Sequence, residues 1–421
     1  MRKFFALCAA LTGIVLTSVG LAPAQASAIP AHFVLTGSGF GHGVGLSQIG
    51  AEGQAMEGMS ASDILTYWFP GAQVVPVADN IPIRVNVAHQ ATYVSFTVVK
   101  PVLGATYSLT ALPNAAAIAN PTPVTTSANC TMKFSVVARA IVESTVCPGT
   151  TISAAQQPSP LWNISWNSNG ATVLPQILQM SASSGSMQLK YGFVQLKYVA
   201  GKIEITDTMS LHNEYLYGIG EMPSSYLPAA LSAQAIASRT YALTHLASIR
   251  KECDCNLYSS MYDQSYIGYA KESEVGVGGT WKAAVDATTT DPNTGYAVYY
   301  GGKPISVYFF ASDGGMTQRS VDVWGTAQPY LTNVPDPWSL DIFLNPYYSH
   351  WQRVLIQRDV ATAFNLPDVV KLSIDSRSVS NSAFSITATS SSGTSAQLQV
   401  GDFKTKLRIP SSWFEIAPSG Y

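Results

Sequence analysis

The chain has 421 residues and sets 23 Lys and Arg against 25 Asp and Glu, a net charge of −2, with charged residues at only 11%. Ordinary globular proteins hold roughly 25% charged residues, and no basic cluster occurs here, so nucleic acid is excluded as the expected partner. Plentiful Tyr, Trp, Ser and Thr suit a neutral polysaccharide, and the length allows a large core and two or more domains.

Residues 1 to 28 read as a secretory signal: Arg2 and Lys3, an apolar stretch from Phe4 to Val19, then small residues through Ala26-Ser27-Ala28. Cleavage near Ala28 gives an expected product that is secreted or held at the cell wall. Losing Arg2 and Lys3 takes the basic count from 23 to 21 against 25 acidic residues, a charge of about −4. No later apolar run reaches the roughly 18 residues of a membrane span.

Gly37, Gly39, Gly41, Gly43 and Gly45 then alternate with Ser38, Phe40, His42 and Val44 in "GFGHGVGLSQIGA". Read as a strand, this segment has one bare face, against which a second backbone or a flat ligand comes close. A dinucleotide or phosphate loop is the rival, but the third glycine spacing fails and Lys-Ser/Thr is missing. Ser47 caps a predicted helix through Met56, and Ser60 with Asp63 forms a capping box for a second, through Trp68, which Pro70-Gly71 ends. From Ile81 to about Val199 short alternating strands predominate, with 156 to 170 the most loop-like stretch.

The strongest helix begins at Pro228, where a missing amide hydrogen costs nothing. It is rich in alanine, and Gln234, Ser238, Tyr241 and His245 recur at spacings of four, three and four. That stripe is either a solvated face or the lining of a wet cleft. Two strands joined at Gly301-Gly302 follow, then an Asp313-Gly314-Gly315 turn, a helix near 357 to 364 and late strands ending at "SSWFEI". Four cysteines remain after the signal. Disulfides are the default in an exported chain, most simply Cys130 with Cys147; for Cys253 and Cys255 a strained bridge competes with zinc, which would need two further ligands.

"EYLYGIGEMP" with "ALSAQAIASRTYAL", "YFFASDGGMT" with "PYLTNVPDPWS", and "GFGHGVGLSQIGA" with "ILTYWFPG" together resemble the sporulation stage II protein D / LytB (SpoIID/LytB) family of cell-wall proteins. In that family the glycine-histidine motif usually comes last, after a strand similar to "SSWFEI", so the order here looks circularly permuted. Permutation requires the old termini to be close, which predicts Tyr421 near the residues leading into Gly37. The expected fold is α+β. It comprises a signal at 1–28, a glycine-histidine segment at 29–80 belonging to the core, a β-rich accessory region at 81–195 and the remaining core at 196–421.

The resemblance implies lytic transglycosylase cleavage of peptidoglycan glycan strands, with Glu221 of "EMP" as acid and base, no cofactor and no metal. It also implies a second reading, a non-catalytic enhancer of a cell-wall amidase. One carboxyl suffices for the first, because the sugar's own 6-hydroxyl attacks and closes a 1,6-anhydro ring. A helix N-terminus beyond Glu221 favours its ionised form, so burial by Met222, Tyr226 and "ISVYFF" must outweigh it. Relatives usually carry Ser or Thr at the position of Asp313, so Asp313 is either a second, hydrolytic carboxylate or a turn residue. Substrate contacts are expected from His42, Ser47, Gln48, Gln234, Arg239, Tyr241, Ser312 and Asp313. Arg239 has an equal claim to a structural ion pair with a carboxylate such as Glu214. A Ser47-His42-Asp triad has no support in order or spacing.

Overall fold

The computed structural model describes residues 29–99, 106–112, 124–127, 129–148, 150–152, 158–166 and 176–417. The signal at 1–28 and Tyr421 lie outside the described residues. The predicted α+β class holds, with helices and strands mixed along the chain. No helix among the described residues is long and apolar enough to cross a membrane.

β1 (His32–Ser38) leads in, and α1 (Gln48–Met56) and α2 (Ala61–Trp68) follow where their caps predict. The Ser47 hydroxyl accepts from Gly50 N–H, and Ser60 with Asp63 completes the capping box. The β-rich region builds two sheets, of seven and six strands among the described residues. Their inner faces share one core that includes Phe96, Met132, Phe134 and Met180 from one sheet and Trp162, Ile164, Val194 and Leu196 from the other. Trp162 joins the two, its indole donating to the Ile141 carbonyl at 3.0 Å with the ring 5.4 Å from Phe134. This corrects the reading of 156 to 170 as loop. Leu161–Ser165 is an inner strand whose alternate residues Trp162 and Ile164 are fully buried.

The seven-stranded sheet delivers Lys202–Ser210 into a single π-helical turn, Leu211–Tyr215, and the chain then reaches α3 (Pro228–His245). Proline occupies the first turn of α3, and small alanines let α1, α2 and the strand Thr294–Tyr300 pack closely around it. The partner of that strand is not mainly "ISVYFF". Only Lys303–Pro304 returns along it, while Gln73–Ala78 pairs with Thr294 through Tyr299. The chain at 308–311 instead gives its carbonyls to the glycine segment, Tyr308 to Leu46 N–H and Ala311 to Ile49 N–H.

β1 lies between Trp351–Ile356 and the late strand Trp413–Ile416, with Leu35 opposite Ile416 and Ser38 opposite Trp413. Together with Gln357–Phe364 and Val400–Leu407 they enclose a second core around Phe33, Leu35, Phe364, Phe403 and Phe414. Both expected disulfides are present, Cys130–Cys147 and Cys253–Cys255. The second leaves neither thiolate free for zinc.

Asp207 sits fully buried in the seven-stranded sheet and pairs with no cation among the described residues. Burial first and the neighbouring Glu214 second push its carboxyl well above the usual carboxylate range. Its stabilising contribution is full below the ordinary carboxylate value and is lost as pH rises through the raised one. Asp207→Asn should therefore raise the urea midpoint at pH 8 and leave it unchanged at pH 4.

Candidate active site

Glu221 is fixed by backbone pairing before any side chain acts. Segment 218–221 lies antiparallel to 265–267, with Gly220 N–H donating to the Ser265 carbonyl at 2.7 Å and Ile267 N–H to the Gly218 carbonyl at 2.8 Å. A Cβ on Gly218 would sit 2.3 Å from the Tyr266 ring, so only glycine permits this approach. Ser265 N–H then donates to Glu221 Oε1. Two further donors clamp the loop: Gln48 Nε2 to the Glu221 carbonyl at 3.0 Å, and Lys271 Nζ to the Met222 carbonyl at 2.8 Å.

The carboxyl is half-buried, and burial raises its pKa above the ordinary glutamate value despite the opposing Ser265 hydrogen bond. Met222 beside it is 1% exposed. The N-terminus of α3 is served by another residue, Glu52 of α1, whose Oε2 accepts from Leu227 N–H at 2.8 Å. The contest anticipated between helix dipole and desolvation thus falls to desolvation.

The polar stripe of α3 faces the same loop rather than open solvent. Gln234 and Ser238 are fully buried; Gln234 accepts from Gln48 at 3.2 Å and donates to the Ser238 hydroxyl at 3.2 Å. Tyr241, half-buried, donates to Asp263 Oδ1 at 3.0 Å, and Arg250 holds Asp263 through two bonds of 2.7 Å. His245 stacks on Tyr241 with ring centroids 4.3 Å apart. Gln264 joins the Ser238 carbonyl to the Tyr215 phenol at 3.2 and 3.4 Å.

The glycine segment does meet a second backbone, though in another conformation than a strand. It is not a regular strand with a bare face: Gly39, Gly41, Gly43 and Gly45 all have positive φ. That second backbone is the chain at 308–313, joined by the Trp413 side chain. At Gly45, φ is +85° and a Cβ would lie 2.2 Å from the Tyr308 carbonyl oxygen. Gly45→Ala should cost at least about 2 kcal/mol, read as a lowered urea midpoint, because left-handed strain adds to a clash with immobile backbone.

His42 lies against Phe310 and Trp324, with centroids at 5.8 and 5.2 Å. Its Nδ1 accepts from Val44 N–H at 3.0 Å, and the Phe309 carbonyl is its other polar neighbour. Burial, with the charge of Lys404, pushes its pKa down to about 4, so the ring is neutral at physiological pH and braces the turn.

Six expected substrate contacts are placed inside the protein: Gln48 and Gln234, bonded to each other, and four more. Ser47 is a fully buried helix cap. Ser312 is 1% exposed and bridges to Phe40 through its backbone. Asp313 is fully buried in its turn, its Oδ1 accepting from Gly315 N–H at 2.7 Å. Arg239 is fully buried, and its partner is Asp79 at 2.6 Å rather than Glu214. Burial of these polar side chains depends on groups distant in sequence, such as Asp79 for Arg239 and Ser339 for Ser47.

With this geometry in view, residues 200–291 match a known family model. The matched family is SpoIID, stage II sporulation protein. Stage II sporulation protein D of Bacillus subtilis is 28% identical over 167 residues, covering 37% of this chain and 47% of that protein. The amidase enhancer of the same organism is 30% identical over 128 residues, 29% of this chain and 16% of that protein. An uncharacterized protein of Brachyspira hyodysenteriae is 33% identical over 141 residues, 31% of this chain and 35% of its own length. The chain thus spans less than half the length of the curated relatives it matches. No solved structure matches it.

The SpoIID segment contains Glu221, all of α3 and three residues that sequence patterns did not reveal, Asp263, Gln264 and Ser265. Their run, "DQS", carries no periodicity or motif of its own. Lys271, 1% exposed, and Glu52 were missed for the same reason.

Proposed function

We propose that this protein is an exported peptidoglycan lytic transglycosylase, with Glu221 giving a proton to the glycosidic oxygen and then taking one from the sugar's 6-hydroxyl. The observation that carries this reading is the Glu221 carboxyl itself: desolvated, raised in pKa, held by Ser265 N–H, on a loop clamped by Gln48 and Lys271. Desolvation that raises a carboxyl's pKa moves it in the direction a general acid needs. With Asp313 buried in its turn, the single-carboxyl route to a 1,6-anhydro product is favoured over hydrolysis. Adjacency of β1 and Trp413–Ile416 supports reading the motif order as circularly permuted.

The likeness to the amidase enhancer supports a second reading, a cell-wall protein that binds glycan and stimulates an amidase without cleaving. Digestion of purified glycan strands, with and without stem peptides, separates the two. Products one water lighter than hydrolysed ends establish the first; intact strands combined with faster amidase turnover establish the second.

A further inference from the structure

Beside the glycine segment, Trp324 and Tyr308 form an aromatic pair. Trp68, Trp162, Trp166 and Trp281 are at most 1% exposed, whereas Trp324, closing the short helix Ser320–Trp324, is 44% exposed. Its ring meets Tyr308 at 4.5 Å and His42 at 5.2 Å between centroids. Among the described residues neither the Trp324 indole N–H nor the Tyr308 phenol has a hydrogen-bond partner. The pair's described neighbours include no free carboxylate: His42 is neutral, Asp322 is paired with Arg319 at 2.7 Å, and Lys404, whose charge acts on His42, donates to the Gly41 carbonyl at 2.8 Å. The pair joins the loop of the acid through the backbone: the Tyr308 carbonyl accepts from Leu46 N–H at 2.9 Å, and Gln48, two residues on, donates to the Glu221 carbonyl at 3.0 Å.

We propose that Trp324 and Tyr308 form a subsite that stacks one uncharged pyranose ring of the glycan strand, beyond the bond cleaved at Glu221. A pyranose presents an apolar C–H face rimmed by hydroxyls. The indole face takes the first, and the unpartnered indole N–H and phenol take the second. The proposal rests on the glycan reading of the site and names where the strand continues.

The test uses peptide-free glycan strands as probe and measures binding in the Glu221→Gln protein, where cleavage does not intervene. Trp324→Ala in that background should weaken binding about ten-fold, with Trp324→Tyr keeping most of it and both thermal midpoints unchanged. Equal binding by Glu221→Gln alone and with Trp324→Ala overturns the subsite, as does absence of glycan binding by the intact protein. The two readings fail separately. Glycan bound through Trp324 but never cleaved by wild type keeps the subsite and removes the transglycosylase; cleavage indifferent to Trp324 does the reverse.

Discussion

Glu221→Gln should lower glycan cleavage by about 10²- to 10⁴-fold, the range that a positioned general acid contributes. The amide keeps an oxygen that can accept from Ser265 N–H, so the loop retains its shape while the transferable proton is lost. Wild-type activity should fall as pH rises through the raised pKa of Glu221, and it should persist above the pH at which an exposed glutamate would already be ionised. The stability effect follows with a fixed sign. A carboxyl with a raised folded pKa contributes its full share below the ordinary value and loses it as pH climbs through the raised one. The Gln variant should therefore match wild type at pH 4 and exceed it at pH 8 in urea unfolding. Unchanged cleavage in this variant would remove Glu221 from the chemistry.

Arg239→Met should cost about 3–5 kcal/mol, because it strands a carboxylate in the interior. Asp79 and Arg239 are both fully buried, with Arg239 Nε 2.6 Å from Asp79 Oδ2 and His212 Nδ1 2.6 Å from Asp79 Oδ1. Arg239 also donates to the Thr288 hydroxyl and the Tyr296 carbonyl, each at 3.0 Å, and to the His212 carbonyl at 3.3 Å. One guanidinium thus ties α3 to the entrance of the β-rich region, the π-helical turn and the strand Thr294–Tyr300. Gly295 leaves room for it, since a Cβ there would lie 2.6 Å from Arg239 Nε. A double variant, Asp79→Leu with Arg239→Met, should recover much of the loss. A single-variant loss below about 1 kcal/mol would show that the pair is dispensable.

The sequence by itself determined the parts of this protein whose causes are local. Ser47, the Ser60–Asp63 box and Pro228 each mark a helix start within one turn of the residue responsible, and the alternating apolar residues after Ile81 mark strands in the same way. Glu221 was legible because a short motif carries it, and the glycine segment announced a close backbone approach because nothing else explains so many missing side chains.

Tertiary structure decided what that approach was and which polar groups face one another. Ser265 is 44 residues from Glu221 and Gln48 is 173 residues away, so no window along the chain contains both halves of either contact. The same distance hid the burial of Ser47, Ser312, Asp313 and Arg239: a polar residue looks exposed until the fold brings a partner that satisfies it. Local free energies select elements, but desolvation and pairing are properties of the assembled interior, and here they set the protonation of the residue on which the proposed chemistry depends.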